Sequence, residues 1–154
     1  MKRILKWAGA VLGIGFVVMQ FIQPDRSVPA FDPAHDVAKV SPIDASLAEI
    51  LRRSCYDCHS YETRWPFYGY VAPVSWLLAS DVRGGRSHLN FSLWGRYADT
   101  RKLQSLDDIH DEISDGGMPL PQYLLLHPGA RLSQVERDAL LRWTEKEKER
   151  LGKE

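Results

Sequence analysis

Both cysteines of this 154-residue chain lie in one short motif, Cys55-Tyr-Asp-Cys58-His59. The order Cys-x-x-Cys-His is the attachment signature of c-type haem. Residues three and four apart share one face of a helix, so the two sulfurs can reach the vinyl groups of one porphyrin while an imidazole binds its iron. The motif therefore predicts a covalently bound haem c, with Cys55 and Cys58 as attachment residues and His59 as iron ligand.

Three other interpretations of the motif stay open but are weaker. Zinc would need a second pair of ligands, and the remaining histidines stand singly. A thioredoxin-like dithiol would follow a strand in a βαβ unit, whereas this motif follows a helical pattern. A disulfide between Cys55 and Cys58 would close a very small loop and would leave His59 without a role.

The first 25 residues combine a basic start with an apolar run. Lys2, Arg3 and Lys6 are the only charges before Asp25, and the run extends from Trp7 to Ile22. A bilayer-spanning helix needs about 17 to 25 residues. No good cleavage site follows the run closely. The pattern predicts an uncleaved transmembrane anchor, with a cleaved signal peptide as the alternative.

This pattern divides the chain into three parts: a membrane anchor over residues 1–23, a Pro-rich tether over 24–43 and a haem-binding domain over 44–154. The basic residues at the start would stay on the cytoplasmic side. We therefore expect a single-pass protein of the bacterial cytoplasmic membrane, with its haem domain in the periplasm or extracytoplasmic space. Nucleic acid is not an expected partner, because acidic and basic residues balance at 20 each and no basic face is clustered.

Helical signals dominate the rest of the chain, and strand signals are almost absent, so the predicted fold class is all-α. Capping-box spacing relates Ser46 to Glu49 and Ser133 to Glu136. The stretch that begins at Gly84 is expected to be a loop. The predicted helices are one from Ser46 into the motif, one from Pro73 to about Arg83, one over about 101–114 and one from Ser133.

A second iron ligand should come from a distant loop. Met118 follows two glycines, which let a backbone pass close to a flat ring, and Pro119 stiffens the loop. We predict Met118 as the distal ligand. The alternatives are that Met118 only fills the core, or that His127 or His88 is the distal ligand; a second histidine would lower the reduction potential relative to His/Met ligation.

Three segments carry a resemblance to a known family: CYDCHSYETRWPFYGYVAPVSWLL, HLNFSLW and MPLPQYLLLHPGARLS. Over about residues 45–145 the chain resembles the bacterial haem-binding domain family, small membrane-anchored proteins related to cytochrome c. The resemblance implies a cytochrome c-like helical domain around one covalently bound haem. It also implies haem c on Cys55 and Cys58, His59 as the proximal ligand and Met118 as the distal one.

The stretch from Arg64 to Trp94 is longer and richer in aromatic residues than in ordinary cytochromes c. We expect it to pack on the haem and exclude water, and we expect the carbonyl of Pro66 or Pro73 to orient the ring of His59. The predicted haem-pocket residues are Trp65, Pro66, Phe67, Tyr70, Pro73, Trp76, Pro119 and Tyr123.

The predicted function is one-electron transfer at the outer face of the membrane, because His59 and Met118 together leave no open position on the iron. A redox partner protein is expected but is not identified. One alternative is a haem-based gas or redox sensor with a displaceable distal ligand. Another is a peroxidase-like enzyme, for which His88 would supply the acid–base group. A non-catalytic electron carrier is favoured over an enzyme.

Overall fold

The computed structural model describes residues 1–153, and all regular secondary structure within them is helical. No strand occurs within them, so the all-α prediction is confirmed. The α-helices are α1 (Lys2–Met19), α2 (Val37–Val40), α3 (Ala45–Ser54), α4 (Tyr56–His59), α5 (Val74–His88), α6 (Asp99–Ser114), α7 (Pro121–Leu126) and α8 (Gln134–Leu151). Short 3₁₀ helices lie at Pro33–His35, Phe67–Tyr70, Phe91–Arg96 and Pro128–Ala130.

The predicted transmembrane anchor is wrong. Among the helices within residues 1–153, none is long and apolar enough to cross a bilayer. Helix α1 has 18 residues, but it includes the cationic residues at its start and ends at Met19. The apolar run itself continues to Ile22. Its helical part is therefore shorter than the about 17 to 25 residues that a bilayer requires.

The segment predicted to be a tether, residues 24–43, makes buried contacts in its second half. The Tyr56 hydroxyl donates to Asp36 Oδ1 at 2.8 Å, and the Ser41 hydroxyl donates to Glu147 Oε1 at 2.7 Å. These bonds hold the segment against the cysteine motif and α8, although its four prolines had predicted no regular structure. The division of the chain into three parts stays a prediction.

The sequence predicted the N-cap of α8 correctly but not that of α3. At α8, the predicted capping box of Ser133 and Glu136 is confirmed. At α3, the cap is Asp44, whose carboxylate accepts the backbone N–H of Leu47 at 2.8 Å, so the predicted cap Ser46 lies inside the helix. Asp and Ser are about equally good N-caps, and here the earlier residue is the one whose backbone is extended.

The core lies between α3, α6, α8 and the 3₁₀ helix at Phe91–Arg96. The Trp143 ring of α8 packs 6.4 Å from the ring of Trp94, centre to centre. Burying one such large side chain stabilises the fold by about 1.5–3 kcal/mol. The main buried apolar residues are Leu47, Ile50, Leu51, Tyr56, Phe91, Trp94, Leu106, Ile113, Leu132, Leu140 and Trp143.

Helix α5 continues to His88, past the end predicted near Arg83. Glycine in a helix interior is unfavourable by about 0.5–1 kcal/mol relative to alanine, which is why Gly84 and Gly85 suggested a loop. In the structure, Gly85 packs directly against α4: a Cβ at this position would lie 2.7 Å from the carbonyl oxygen of Cys58. Close packing of α5 on the cysteine motif thus explains a glycine inside a helix.

Candidate functional site

A cavity of about 710 Å³ lies between α3, α4, α5, α6 and the α6–α7 connection. Cys55, Cys58 and His59 line it from the motif, and Met118 lines it from the α6–α7 connection. Its volume falls in the range of about 300–1,000 Å³ that is usual for small-molecule and cofactor sites. The apolar part of its wall is formed by Leu51, Leu89, Phe91, Ile109, Ile113, Leu120 and Leu140.

The cysteine motif lies at a break between two helices. Helix α3 ends at Ser54, Cys55 has φ −127° and ψ −38°, and α4 then covers the rest of the motif. The backbone N–H groups of Cys58 and His59 donate to the carbonyl of Cys55 at 3.2 and 2.9 Å. This tight turn, rather than one continuous helix, brings both sulfurs and the imidazole to the same cavity.

The two thiols are strongly biased towards their protonated form. Neither forms a disulfide. Burial raises the pKa of Cys55 to about 12 and that of Cys58 to about 11. Zinc binding and dithiol redox chemistry use the thiolate and are favoured by a lowered cysteine pKa. Burial of Cys55 and Cys58 therefore disfavours the thiolate that zinc binding and dithiol redox chemistry both use.

A backbone carbonyl orients the His59 ring. With a proton on Nδ1, His59 donates to the carbonyl oxygen of Leu89 at 3.2 Å. Burial lowers the pKa of His59, which favours the neutral imidazole, the form that binds metals. The sequence had assigned this role to the carbonyl of Pro66 or Pro73. Because α5 runs on past its predicted end, the Leu89 carbonyl reaches the ring instead.

The loop that carries Met118 is held by the end of α6. Gly116 has φ +72°, a left-handed conformation that glycine adopts without strain. The chain then turns back, so that the N–H groups of Gly117 and Met118 donate to the carbonyl of Glu112 at 2.9 and 3.3 Å. The position of Met118 at the cavity wall therefore follows from a glycine-dependent helix end.

The two histidines considered as alternative distal ligands differ in their placement. His88, at the end of α5, lines the cavity. His127 does not line the cavity; its ring stacks on Tyr123, with centres 4.0 Å apart, and its Nε2 lies 3.1 Å from the Tyr68 hydroxyl.

Most of the predicted pocket aromatics lie outside the cavity, and two of them contact the segment that follows α1. Trp76 Nε1 donates to the carbonyl of Ile22 at 2.6 Å. The guanidinium of Arg26 lies 4.4 Å from the centre of the Tyr70 ring, and Phe67 is 83% exposed. Of the predicted pocket residues, Pro119 and Tyr123 line the cavity, whereas Trp65, Pro66, Phe67, Tyr70, Pro73 and Trp76 do not.

Several polar cavity residues had not been singled out from the sequence. Asp57, between the two cysteines, and Asp81 of α5 both line the wall, and burial raises the pKa of Asp81. Helix α6 contributes the polar residues Ser105, Asp108, Asp111 and Glu112. Their spacing follows one helical face beside Ile109 and Ile113, and this periodicity was the one signal in the sequence that could have identified them.

The comparison with protein families connects this cavity to a cofactor. The haem-binding domain family matches residues 14–146, most of the chain. The chain belongs to the haem-binding domain family. No match is found among curated proteins or among solved structures. The resemblance stated from the sequence is thus confirmed for the family itself, and haem is the cofactor that the family implies.

The cavity of this haem-binding domain fits a haem. Its wall combines two thiols and an imidazole with many apolar side chains. This donor set and these apolar surroundings are what a haem held through cysteine and histidine would require.

A site for a bare metal ion is not supported. Over the described part of the chain, no group of three or more His, Cys, Asp or Glu side chains is placed to hold a metal ion. A structural zinc site needs four ligands, usually as two pairs. The zinc interpretation of the motif therefore has no support in the structure.

Proposed function

We propose that this haem-binding domain carries one haem c and serves as a one-electron carrier. The observation that supports it is that Cys55, Cys58, His59 and Met118, which come from two distant parts of the sequence, line one cavity of about 710 Å³. Two attachment thiols, a proximal histidine and a distal methionine form the residue set that a His/Met-ligated haem c requires.

Four residues of the chain would attach the haem and bind its iron. Cys55 and Cys58 would hold the porphyrin through thioether bonds to its two vinyl groups. His59 would bind iron through Nε2, with its orientation set by the Leu89 carbonyl. Met118 would bind the iron as the second protein ligand and raise the reduction potential relative to a second histidine. Bound haem supplies an iron that changes oxidation state by one electron.

The apolar wall would exclude water from the iron. Apolar side chains surround the cavity with hydrocarbon, and the four main ones are each at most 5% exposed: Leu51, Phe91, Ile113 and Leu140. A dry site disfavours the more highly charged ferric state and limits the access of dioxygen. Covalent haem attachment of this kind takes place outside the cytoplasm, so the proposal includes an extracytoplasmic location and a redox partner protein there.

The first experiment is to produce the full chain in cells that attach haem c outside the cytoplasm, and then to measure haem retention under denaturing conditions. We expect retention in the wild type and in Met19→Leu, a control in α1, and its loss when Cys55 and Cys58 are both changed to alanine. A wild-type chain that releases its haem on denaturation would overturn the covalent attachment.

The second experiment tests the iron ligand. Met118→Leu should lower the reduction potential and let carbon monoxide bind the ferrous iron, whereas wild type and Met19→Leu should not bind it. If the wild type already binds carbon monoxide and Met118→Leu changes neither its spectrum nor its potential, Met118 is not the ligand. That result would favour the sensor function over electron transfer.

A further inference from the structure

The short helix α7 follows the Met118 loop and is tied to the cysteine motif by one hydrogen bond. The hydroxyl of Tyr123, in α7, donates to Asp57 Oδ2 at 2.9 Å. Asp57 lies between the two cysteines, and both partners line the cavity. The bond therefore joins the segment that presents the predicted distal ligand to the segment that attaches the cofactor.

Both partners are themselves held in place. The other carboxylate oxygen, Asp57 Oδ1, accepts the backbone N–H of Arg64 at 3.1 Å, and the Asp57 side chain is 16% exposed. On the opposite side, the ring of His127 stacks on Tyr123 with an interplanar angle of 13°. The Tyr68 hydroxyl in turn lies 3.1 Å from His127 Nε2. Acceptor and donor are thus positioned for each other before any cofactor is considered.

Few buried apolar contacts hold α7 in place. The helix has six residues and buries none of them fully, and two of its leucines, Leu125 and Leu126, are 81% and 60% exposed. A helix this short has little stability of its own. The Tyr123–Asp57 bond is the side-chain hydrogen bond that ties α7 to the cysteine motif, and it therefore carries much of the attachment of α7 to α4.

We propose that the Tyr123–Asp57 hydrogen bond is a clasp that keeps the Met118 loop closed over the cavity, which makes Tyr123 a positioning residue for the distal ligand. The inference rests on the proposed function, because it assigns to Met118 a place on the iron. It goes beyond that function because it names the contact that controls the fraction of molecules in which Met118 has left the iron.

The test measures loop opening through an added ligand. Imidazole binds ferric haem only when Met118 has left the iron, so its apparent affinity scales with the open fraction of the protein. Losing a hydrogen bond to a charged carboxylate should raise the opening equilibrium constant by about 10- to 100-fold. Tyr123→Phe in the haem-loaded full chain should therefore bind imidazole about 10- to 100-fold more tightly than wild type.

Two further variants make the result specific. Tyr70→Phe removes a tyrosine hydroxyl outside the cavity and should leave imidazole affinity within about twofold of wild type. Asp57→Ala should raise the affinity as Tyr123→Phe does, and the double variant should gain less than about twofold over Asp57→Ala alone, because the two residues share one bond. Asp57→Ala also keeps the proposal testable if Tyr123→Phe does not fold.

Hydrogen exchange gives a readout that does not depend on a ligand. The backbone amides of Met118, Leu120 and residues 122–126 should exchange faster in Tyr123→Phe than in Tyr70→Phe, while amides of α6 and α8 should be unchanged. Faster exchange throughout the domain would show general destabilisation and would overturn a local clasp.

Met118→Ala separates the two possible failures. The imidazole affinity of Met118→Ala is the reference value for a site that is always open. If wild type already binds imidazole as tightly as Met118→Ala, Met118 is not a ligand, and the proposed ligation and the clasp both fail. If Met118→Ala binds far more tightly than wild type but Tyr123→Phe and Asp57→Ala do not, the proposed ligation stands and the clasp alone is refuted.

Discussion

Gly85 provides the sharpest test of how the motif is held. An ideal Cβ at this position would lie 2.7 Å from the Cys58 carbonyl oxygen, 3.2 Å from its carbonyl carbon and 3.3 Å from its Cβ. The first two contacts are with backbone, which cannot rotate away as a long side chain can. Gly85→Ala must therefore push α5 away from α4 or distort one of them.

The size of the effect follows from two opposing contributions. Overpacking a core position costs about 1–3 kcal/mol, and backbone contacts this short place Gly85→Ala near the upper end. Replacing glycine by alanine inside a helix returns about 0.5–1 kcal/mol. We therefore expect a net loss of about 2 kcal/mol, which at a urea m-value of about 2 kcal/mol/M lowers the unfolding midpoint by about 1 M.

Urea unfolding of the haem-loaded full chain measures this loss, with Gly129→Ala as the control. A Cβ at Gly129 meets nothing within 4 Å, and the residue does not adopt a left-handed conformation. Gly129→Ala should thus be neutral or up to about 1 kcal/mol more stable. Equal stability of Gly85→Ala and Gly129→Ala would refute the close packing of α5 on the motif, and with it our explanation for the placement of the Leu89 carbonyl.

Two further predictions concern α8. Trp143 is 5% exposed, and Trp143→Ala should lower the free energy of unfolding by about 3–5 kcal/mol in the same urea assay, so a loss below about 1 kcal/mol would contradict its place in the core. Hydrogen bonds from the backbone of Ser133 and from Arg53 lower the pKa of Glu136 from 4.5 to about 2. The stabilisation from Glu136 is therefore complete above pH 4.5 and is lost as the pH falls towards 2, a loss that Glu136→Gln should not show when urea midpoints are compared across this range.

Sequence patterns predicted the parts of the fold that depend on neighbouring residues. The capping box of Ser133 and Glu136 acts across three positions, and apolar spacing predicted a helix over about 101–114, which the structure has as Asp99–Ser114. The predicted end of α5 was wrong because a distant contact outweighed the local pattern: the helix passes through two glycines, one of which packs on α4. Helix α1 ends at Met19, before its apolar run does.

The same distinction applies to the candidate site. Haem attachment at Cys55, Cys58 and His59 stays a prediction from the motif, because a porphyrin with two vinyl groups would use that spacing along the chain. The prediction for Met118 rests on the two glycines directly before it, and the structure places Met118 at the cavity wall. Most of the predicted aromatic pocket residues lie outside the cavity, since an aromatic ring packs equally well on a cofactor or on another chain segment.

By itself, the sequence of this protein determined its helical class and the Cys-x-x-Cys-His motif, and it indicated the candidate iron ligands, because each depends on residues within one or two helical turns. Only the tertiary structure decided that the Leu89 carbonyl orients His59 and that Tyr123 reaches Asp57. These contacts join residues 30 and 66 positions apart. Such pairs form only when the packing of the whole core brings their segments together, and no local sequence pattern predicts that packing.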